Sequence, residues 1–298
     1  MSKKILAKLF SGTAANVRLL SYQQFPLMKN LSFIFFPAFI LIFSCNSSST
    51  SRTETTDSLQ QLLGSIRDSI KNNPPEPRLK YNLAVVLQDA GRYKEALLAL
   101  DSMNVTQGDS TNLRIYFAYL FKKSELFELA GDTVNAIKTL EQLVIPGELT
   151  QAGLNLAHLY AETNNPKTIP FCNAIIKNDK EGLAPEPNFI KGIYYSNIGD
   201  YNHATTEFDS SIHKDYNFTE AHLEKGVCLY KLGRYVDAMN VFDKAISISH
   251  SFADAYYWKG KCQEALGQKA EAKLNYQRAY GLDRTLTEAK EAAKKIID

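Results

Sequence analysis

The sequence predicts an all-α fold, a solenoid of stacked helical hairpins, on three observations. Gly199, Gly233 and Gly267 lie 34 residues apart, and Gly192, Gly226 and Gly260 repeat at the same interval. Small residues recur in the same register at Ala204, Ala238 and Ala272, and again at Ser211, Ala245 and Ala279. An aromatic column, Phe208, Phe242 and Tyr276, completes the set. A constant interval of this length marks one supersecondary unit that buries its apolar face only by stacking on its neighbours. With 45 % hydrophobic and 22 % charged residues, the 298-residue chain can bury enough apolar surface to fold.

The first element read in order is a leader, expected over residues 1–44. It contains Lys3, Lys4, Lys8, Arg18 and Lys29 and no Asp or Glu, so the chain's formal charge of +2 owes its sign to the leader. Beyond it, 29 basic residues face 32 acidic ones. A slightly acidic chain lacks the clustered Lys and Arg that phosphate backbones attract, which argues against nucleic-acid binding. Lys29 followed by the apolar run Leu31 to Phe43 reads as a secretion signal, and a run of that length is too short to span a bilayer, which needs about 20 residues. The 44 residues before Cys45 exceed an ordinary signal peptide, so Met28 is the expected true start. Ile42-Phe43-Ser44-Cys45 resembles a bacterial lipobox, which implies that Cys45 carries lipid and becomes the mature N-terminus. A plain signal peptide or a retained N-terminal anchor is the competing reading. Residues 45–56 are then the lipidated end and a polar tether without a hydrophobic side chain.

Residues 57–298 are expected to form the solenoid. Asp57 to Asn72 reads as one amphipathic helix, with Leu59, Leu62, Leu63, Ile66 and Ile70 on a stripe, an Asp57…Gln60 capping pair at its start and Asn73-Pro74-Pro75 at its end. This half repeat is expected to cover the start of the array. A first unit follows near 77–108, with Leu83-Ala84, Leu87, Gly91-Arg92-Tyr93 and Ala96, and a second near 117–147, with Ser124, Phe127, Gly131, Ala136 and Leu140. The unit near 150–180 reads as degenerate: Leu156-Ala157 and Tyr160 mark a first helix, but Pro166 and Pro170 disturb the second. In the three units from 185 to 286, a glycine in the first helix implies close helix approach, since mid-helix Gly otherwise costs about 1 kcal/mol. The second glycine closes that helix in the left-handed conformation. Thr287 to Asp298, rich in Lys, Glu and Ala, is the polar outer cap that a stacked array needs.

These columns resemble the tetratricopeptide repeat, closely over residues 185–286 and more loosely upstream. The resemblance implies a right-handed superhelix of about five repeats with an N-terminal half repeat and a C-terminal capping helix. The sequence departs from the family at Lys191, Lys225 and Lys259, where Leu is usual, and at Tyr216, His250 and Arg284, where units often end in Pro. First helices of such proteins line a concave wall that meets the ligand. Carried over, the exposed slots are Tyr81, Val85, Phe121, Glu125, Leu154, His158, Phe189, Ile193, Leu223, Val227, Tyr230, Lys231, Tyr257 and Lys261. Of these, Tyr81, Phe121, Phe189, Leu223, Tyr230, Lys231, Tyr257 and Lys261 are the expected partner-binding residues. The wall is apolar and aromatic, suited to anchoring a peptide, and does not reproduce the Lys and Asn clamp of chaperone-binding members.

Sequence patterns for catalysis are missing. No phosphate loop, zinc spacing or nucleophile elbow occurs, and His158, His203, His213, His222 and His250 share no metal-ligand spacing. We therefore expect no catalytic residue, metal or cofactor. Cys228 and Cys262 fill one slot of neighbouring units, about 10 Å apart if helices pack normally, which is too far for a disulfide. They are expected to be buried free thiols, with Cys172 a third. The expected function is a non-catalytic scaffold, held by lipid to the cell envelope, with the outer membrane the expected site, and binding proteins or peptides there. Nucleic acid and small-molecule substrates are not expected. A cytosolic co-chaperone or signalling scaffold is the alternative if the leader is no signal.

Overall fold

The computed structural model describes residues 50–72, 76–103, 105, 113–145 and 147–296. The leader, Cys45 and the residues up to 49 lie outside the described residues. Among the described residues there are fourteen helices and no strand, and Leu59–Asp298 form one compact unit.

Helix α1 spans Thr50–Asn72, so it begins earlier than the expected Asp57, and the part of the expected tether from Thr50 to Thr56 is helical. Nothing in that run breaks a helix: it contains neither Gly nor Pro, and Thr and Ser are only moderately poor formers. Asp57 lies inside the helix and is not its cap. Leu63 is buried and Leu59 packs beside it, against Ala84, Leu87, Ala96 and Leu100 of the first hairpin, while Leu62 of the expected stripe is exposed.

Six hairpins follow. They pair α2 (Pro77–Asp89) with α3 (Tyr93–Asp101), α4 (Leu113–Leu129) with α5 (Thr133–Glu141), and α6 (Gln151–Glu162) with α7 (Thr168–Asn178). The next three pair α8 (Glu186–Asn197) with α9 (Tyr201–Lys214), α10 (Thr219–Lys231) with α11 (Tyr235–Ile248), and α12 (Ala253–Ala265) with α13 (Lys269–Leu282). Helix α14 (Thr287–Lys295) closes the array, burying Ala289 and Ala293. The count is one more than expected because the degenerate unit forms a complete hairpin. Pro170 falls in the first turn of α7, where the amide it lacks has no acceptor within the helix. Tyr160 and Phe171 pack edge to face across this hairpin, centroids 5.9 Å apart.

One turn closes all six first helices. Gly91, Gly131, Gly199, Gly233 and Gly267 have φ between 72° and 83°, and Asn164, with φ 54°, takes the same place in the degenerate unit. The next amide then reaches back to the helix: Arg234 N–H donates to the Leu229 carbonyl at 2.9 Å and Asn165 N–H to the Tyr160 carbonyl at 2.8 Å. Gly233→Ala is expected to cost about 1–2 kcal/mol, since a Cβ disfavours this conformation, and to lower the melting temperature by several degrees. Differential scanning calorimetry checks this.

The other glycine column has a different cause. A Cβ at Gly192 would lie 2.5 Å from Phe208 Cε1, one at Gly260 would lie 2.8 Å from Tyr276 Cε1, and the Phe242 ring presses as closely on Gly226. The close approach read from the sequence is thus an aromatic ring of the second helix seated on the backbone of the first. Phe208, Phe242 and Tyr276 are fully buried, as are Ala204, Ala238 and Ala272.

The three lysines that depart from the family pattern make ion pairs. Lys225 on α10 bonds Asp209 on α9, and Lys259 on α12 bonds Asp243 on α11 at 2.6 Å, each pair joining one hairpin to the one before. Lys191 instead pairs within its own hairpin with Glu207 at 2.7 Å. The two pairs between hairpins, whose aspartates are exposed, contribute roughly 0–1 kcal/mol each, whereas Lys191 and Glu207 are only 12 % and 17 % exposed.

Candidate functional site

The expected partner-binding positions divide by burial. Phe189 is 4 % exposed and Leu223 0 %, so neither presents a side chain at the wall, a correction to the expectation. Phe189 packs on Phe208 of its own hairpin and on Phe218 ahead of the next, centroids 5.6 and 4.8 Å apart. Leu223 holds the same slot one unit later. Leu154, His158 and Ile193, also expected at the wall, are buried too. Tyr81, Val85, Phe121, Val227, Tyr230, Tyr257 and Lys261 are half-buried, and Lys231 is exposed.

At the N-terminal end, Tyr81 lines an apolar cavity of about 230 Å³ with Met103, Ile115 and Ala118. Glu125 is engaged there: it accepts from Gln88 at 2.8 Å and pairs with Lys122 at 2.6 Å, tying α2 to α4.

The densest feature lies on α10 and α12. Tyr230 stands 5.4 Å from Trp258, Trp258 stands 5.8 Å from Tyr257, and Tyr257 stands 5.6 Å from the buried ring of Tyr276. Tyr235 closes on Tyr230 at 5.3 Å. The structure thus joins two predicted residues, Tyr230 and Tyr257, through a residue the sequence reading missed. Trp258, the chain's single tryptophan, is half-buried. Its slot holds Glu224 one unit earlier, so the column carried no repeated residue type that would have signalled it.

Two carboxylates frame this patch. Tyr276 Oη donates to Glu264 Oε2 at 2.6 Å, fixing an exposed carboxylate one turn beyond Lys261. Glu224 is nine-tenths buried, and burial pushes its carboxyl up to about 7, with Asp254 and Glu162 adding to the rise. A carboxyl raised in the folded state favours folding at low pH, and that contribution is lost as pH rises from the ordinary carboxylate range through about 7. Glu224→Gln is accordingly expected to raise the melting temperature more at pH 8 than at pH 5, as thermal melts at the two values would show.

Cys172, Cys228 and Cys262 are free and buried, and burial pushes each thiol up to about 12. Cys228 Sγ donates to Ser196 Oγ at 3.6 Å, bridging α10 to α8. Titration of the folded protein with a thiol reagent at pH 8 is expected to leave these three unreacted for hours and to consume all three at once in guanidinium.

The histidines do not cluster: His203, His213 and His250 are exposed, and His158 and His222 are buried. His158 is buried and pushed down to about 4 by desolvation, and His222, also lowered by burial, approaches the Tyr216 carbonyl at 2.9 Å. Among the described residues no group of three His, Cys, Asp or Glu is placed to hold a metal ion.

This architecture is a solenoid of tetratricopeptide repeats. Residues 226–267 match the family described as TPR repeat, and residues 253–286 match that described as tetratricopeptide repeat. No curated protein matches the sequence. Among solved structures, a tetratricopeptide repeat protein from Parabacteroides merdae is similar at a TM-score of 0.62 and 18 % identity, over 82 % of this chain and 94 % of that one. A chain of the APC/C hetero-tetramer Cut9-Hcn1 is similar at a TM-score of 0.54 and 12 % identity, over 80 % of this chain and 46 % of that one. At these identities the likeness speaks for the fold alone.

Proposed function

We propose that the protein is a non-catalytic scaffold that holds other proteins or peptides on the wall of its first helices, and that lipid on Cys45 ties it to the bacterial cell envelope. The observation that carries the binding part is the half-buried patch of Tyr230, Tyr257 and Trp258, contributed by neighbouring hairpins. Aromatic side chains offer large rigid contact area with a polar edge, which is why they dominate the energetics of interfaces. A stacked array holds such a patch rigid at little cost to its own folding.

The anchor rests on the sequence: the basic, acid-free leader, the short apolar run and the lipobox-like Ile42-Phe43-Ser44-Cys45. Among the described residues no helix is long and apolar enough to cross a membrane. One acyl chain binds membranes weakly, whereas the several chains of a lipoprotein hold firmly, at roughly 0.8 kcal/mol per buried methylene.

Two experiments separate the parts. Growth with radioactive palmitate is expected to label the parent protein and not Cys45→Ala; an unlabelled parent ends the anchor. Recovery of partners from native membranes is expected to drop with Tyr230→Ala and Tyr257→Ala combined, and unchanged recovery removes the patch from the binding surface.

A further inference from the structure

We propose that the aromatic patch of α10 and α12 receives a cationic side chain, Arg or Lys, from a basic segment of the partner, and that Glu264, Asp254 and Glu224 supply the countercharge. This rests on the scaffold reading and specifies the chemistry of what it holds.

The first support is the geometry of the rings. Trp258 meets both Tyr230 and Tyr257 at steep angles of 66° and 74°, so the three rings make a corner, not a parallel stack. A ring face carries negative potential, and a cation placed over Trp or Tyr gains most where water is partly excluded, as it is at half-buried rings. Cations of this chain already use such faces elsewhere: Arg278 lies 4.5 Å from the Tyr256 centroid and Arg284 4.8 Å from that of Tyr280.

The second support is charge. Asp254 stands three and four residues before Tyr257 and Trp258, and Glu264 two turns after Tyr257, so both carboxylates share the helix face that carries the rings. With Glu220 and Glu224 on α10, four acids line these two helices against two wall lysines, Lys231 and Lys261. Lys225 and Lys259 are taken up by Asp209 and Asp243 across the repeat boundary. Glu224 is the most telling of the acids. It is nine-tenths buried, with Asp254 near enough to raise its carboxyl further. Burial holds its proton on near neutral pH, and an arriving cation would restore the charged form. With Glu224 protonated, Glu220, Asp254 and Glu264 still outnumber Lys231 and Lys261 by one, which disfavours an acidic partner.

Trp258 makes the test direct, because the emission of the single tryptophan reports on the patch itself. Hexa-arginine added to the folded protein is expected to change that emission saturably, and hexa-glutamate is not. Glu264→Gln, which can still accept from Tyr276, and Asp254→Asn are each expected to weaken hexa-arginine binding about three- to tenfold, and Tyr257→Ala by about as much. Asp237→Asn with Glu271→Gln on the second helices is expected to leave it unchanged, once matching melting curves show that all variants fold. Equal binding by the wall variants, or hexa-glutamate binding as tightly as hexa-arginine, overturns the proposal. A partner recovered from membranes that excess hexa-arginine cannot displace also overturns it while leaving the scaffold intact. Recovery of no partner by the parent protein counts instead against the scaffold, and the peptide titration still decides the charge preference.

Discussion

Replacing Phe242 by Ala is expected to remove about 3–5 kcal/mol of stability, the largest effect of any single change proposed for this chain. The ring is fully buried, sits on the bare backbone of Gly226 and belongs to a column that recurs in three consecutive hairpins. Its loss leaves a cavity that Gly226, with no side chain, cannot help to fill. In a stacked array each hairpin leans only on its neighbours, so the deficit concentrates locally. Amide exchange is expected to accelerate most in α10 and α11, then in α8, α9, α12 and α13, and least in α2 and α3. Uniform acceleration along the chain would mean that the array unfolds as one body. An unchanged midpoint in denaturant would mean that the ring does not hold the hairpin together.

The converse change, Gly226→Leu, forces side chain into the space the ring occupies. It is expected to cost on the order of 1–3 kcal/mol by overpacking, net of the roughly 1 kcal/mol that leaving glycine returns in helix propensity. The two positions form one contact, so their effects should not add. Gly226→Ala alone is expected to destabilise, and in a Phe242→Leu background to destabilise less, with a coupling of about 0.5–3 kcal/mol from denaturant titrations of the four proteins. Strict additivity would show that ring and glycine do not touch.

This contact also shows how far the sequence could be read. The glycine, alanine and aromatic columns were legible because one physical need, a ring on a bare backbone beside small residues, recurs every 34 residues. That the ring itself fills the space, and not the partner backbone, required coordinates. The lysine column is visible in the sequence, and the partners of Lys225 and Lys259 lie 16 residues upstream, across the repeat boundary, where Asp209 and Asp243 keep the same interval. The degenerate unit is hard to read because two prolines mask its spacing, yet Asn164 supplies the left-handed turn that glycine supplies elsewhere.

The candidate site was legible in part. Tyr230 and Tyr257 are half-buried on α10 and α12, whereas Phe189 and Leu223 are buried, because slot numbers carry no information on what packs across a boundary. Phe218, in the short link before α10, covers Phe189, and it recurs 34 residues on as Phe252 before α12. Trp258 and Glu264 were missed for the opposite reason: each is peculiar to one unit, and a search for recurrence passes over what does not recur.

If the protein is a scaffold of this kind, its partners meet the first helices and not the second. A photo-crosslinking amino acid placed at Tyr257 on α12, and in a second protein at Leu274, which is 65 % exposed on α13, tests it in native membranes. A discrete crosslinked partner is expected from position 257 and none from position 274. Adducts of equal yield from both positions, or from 274 alone, would contradict it.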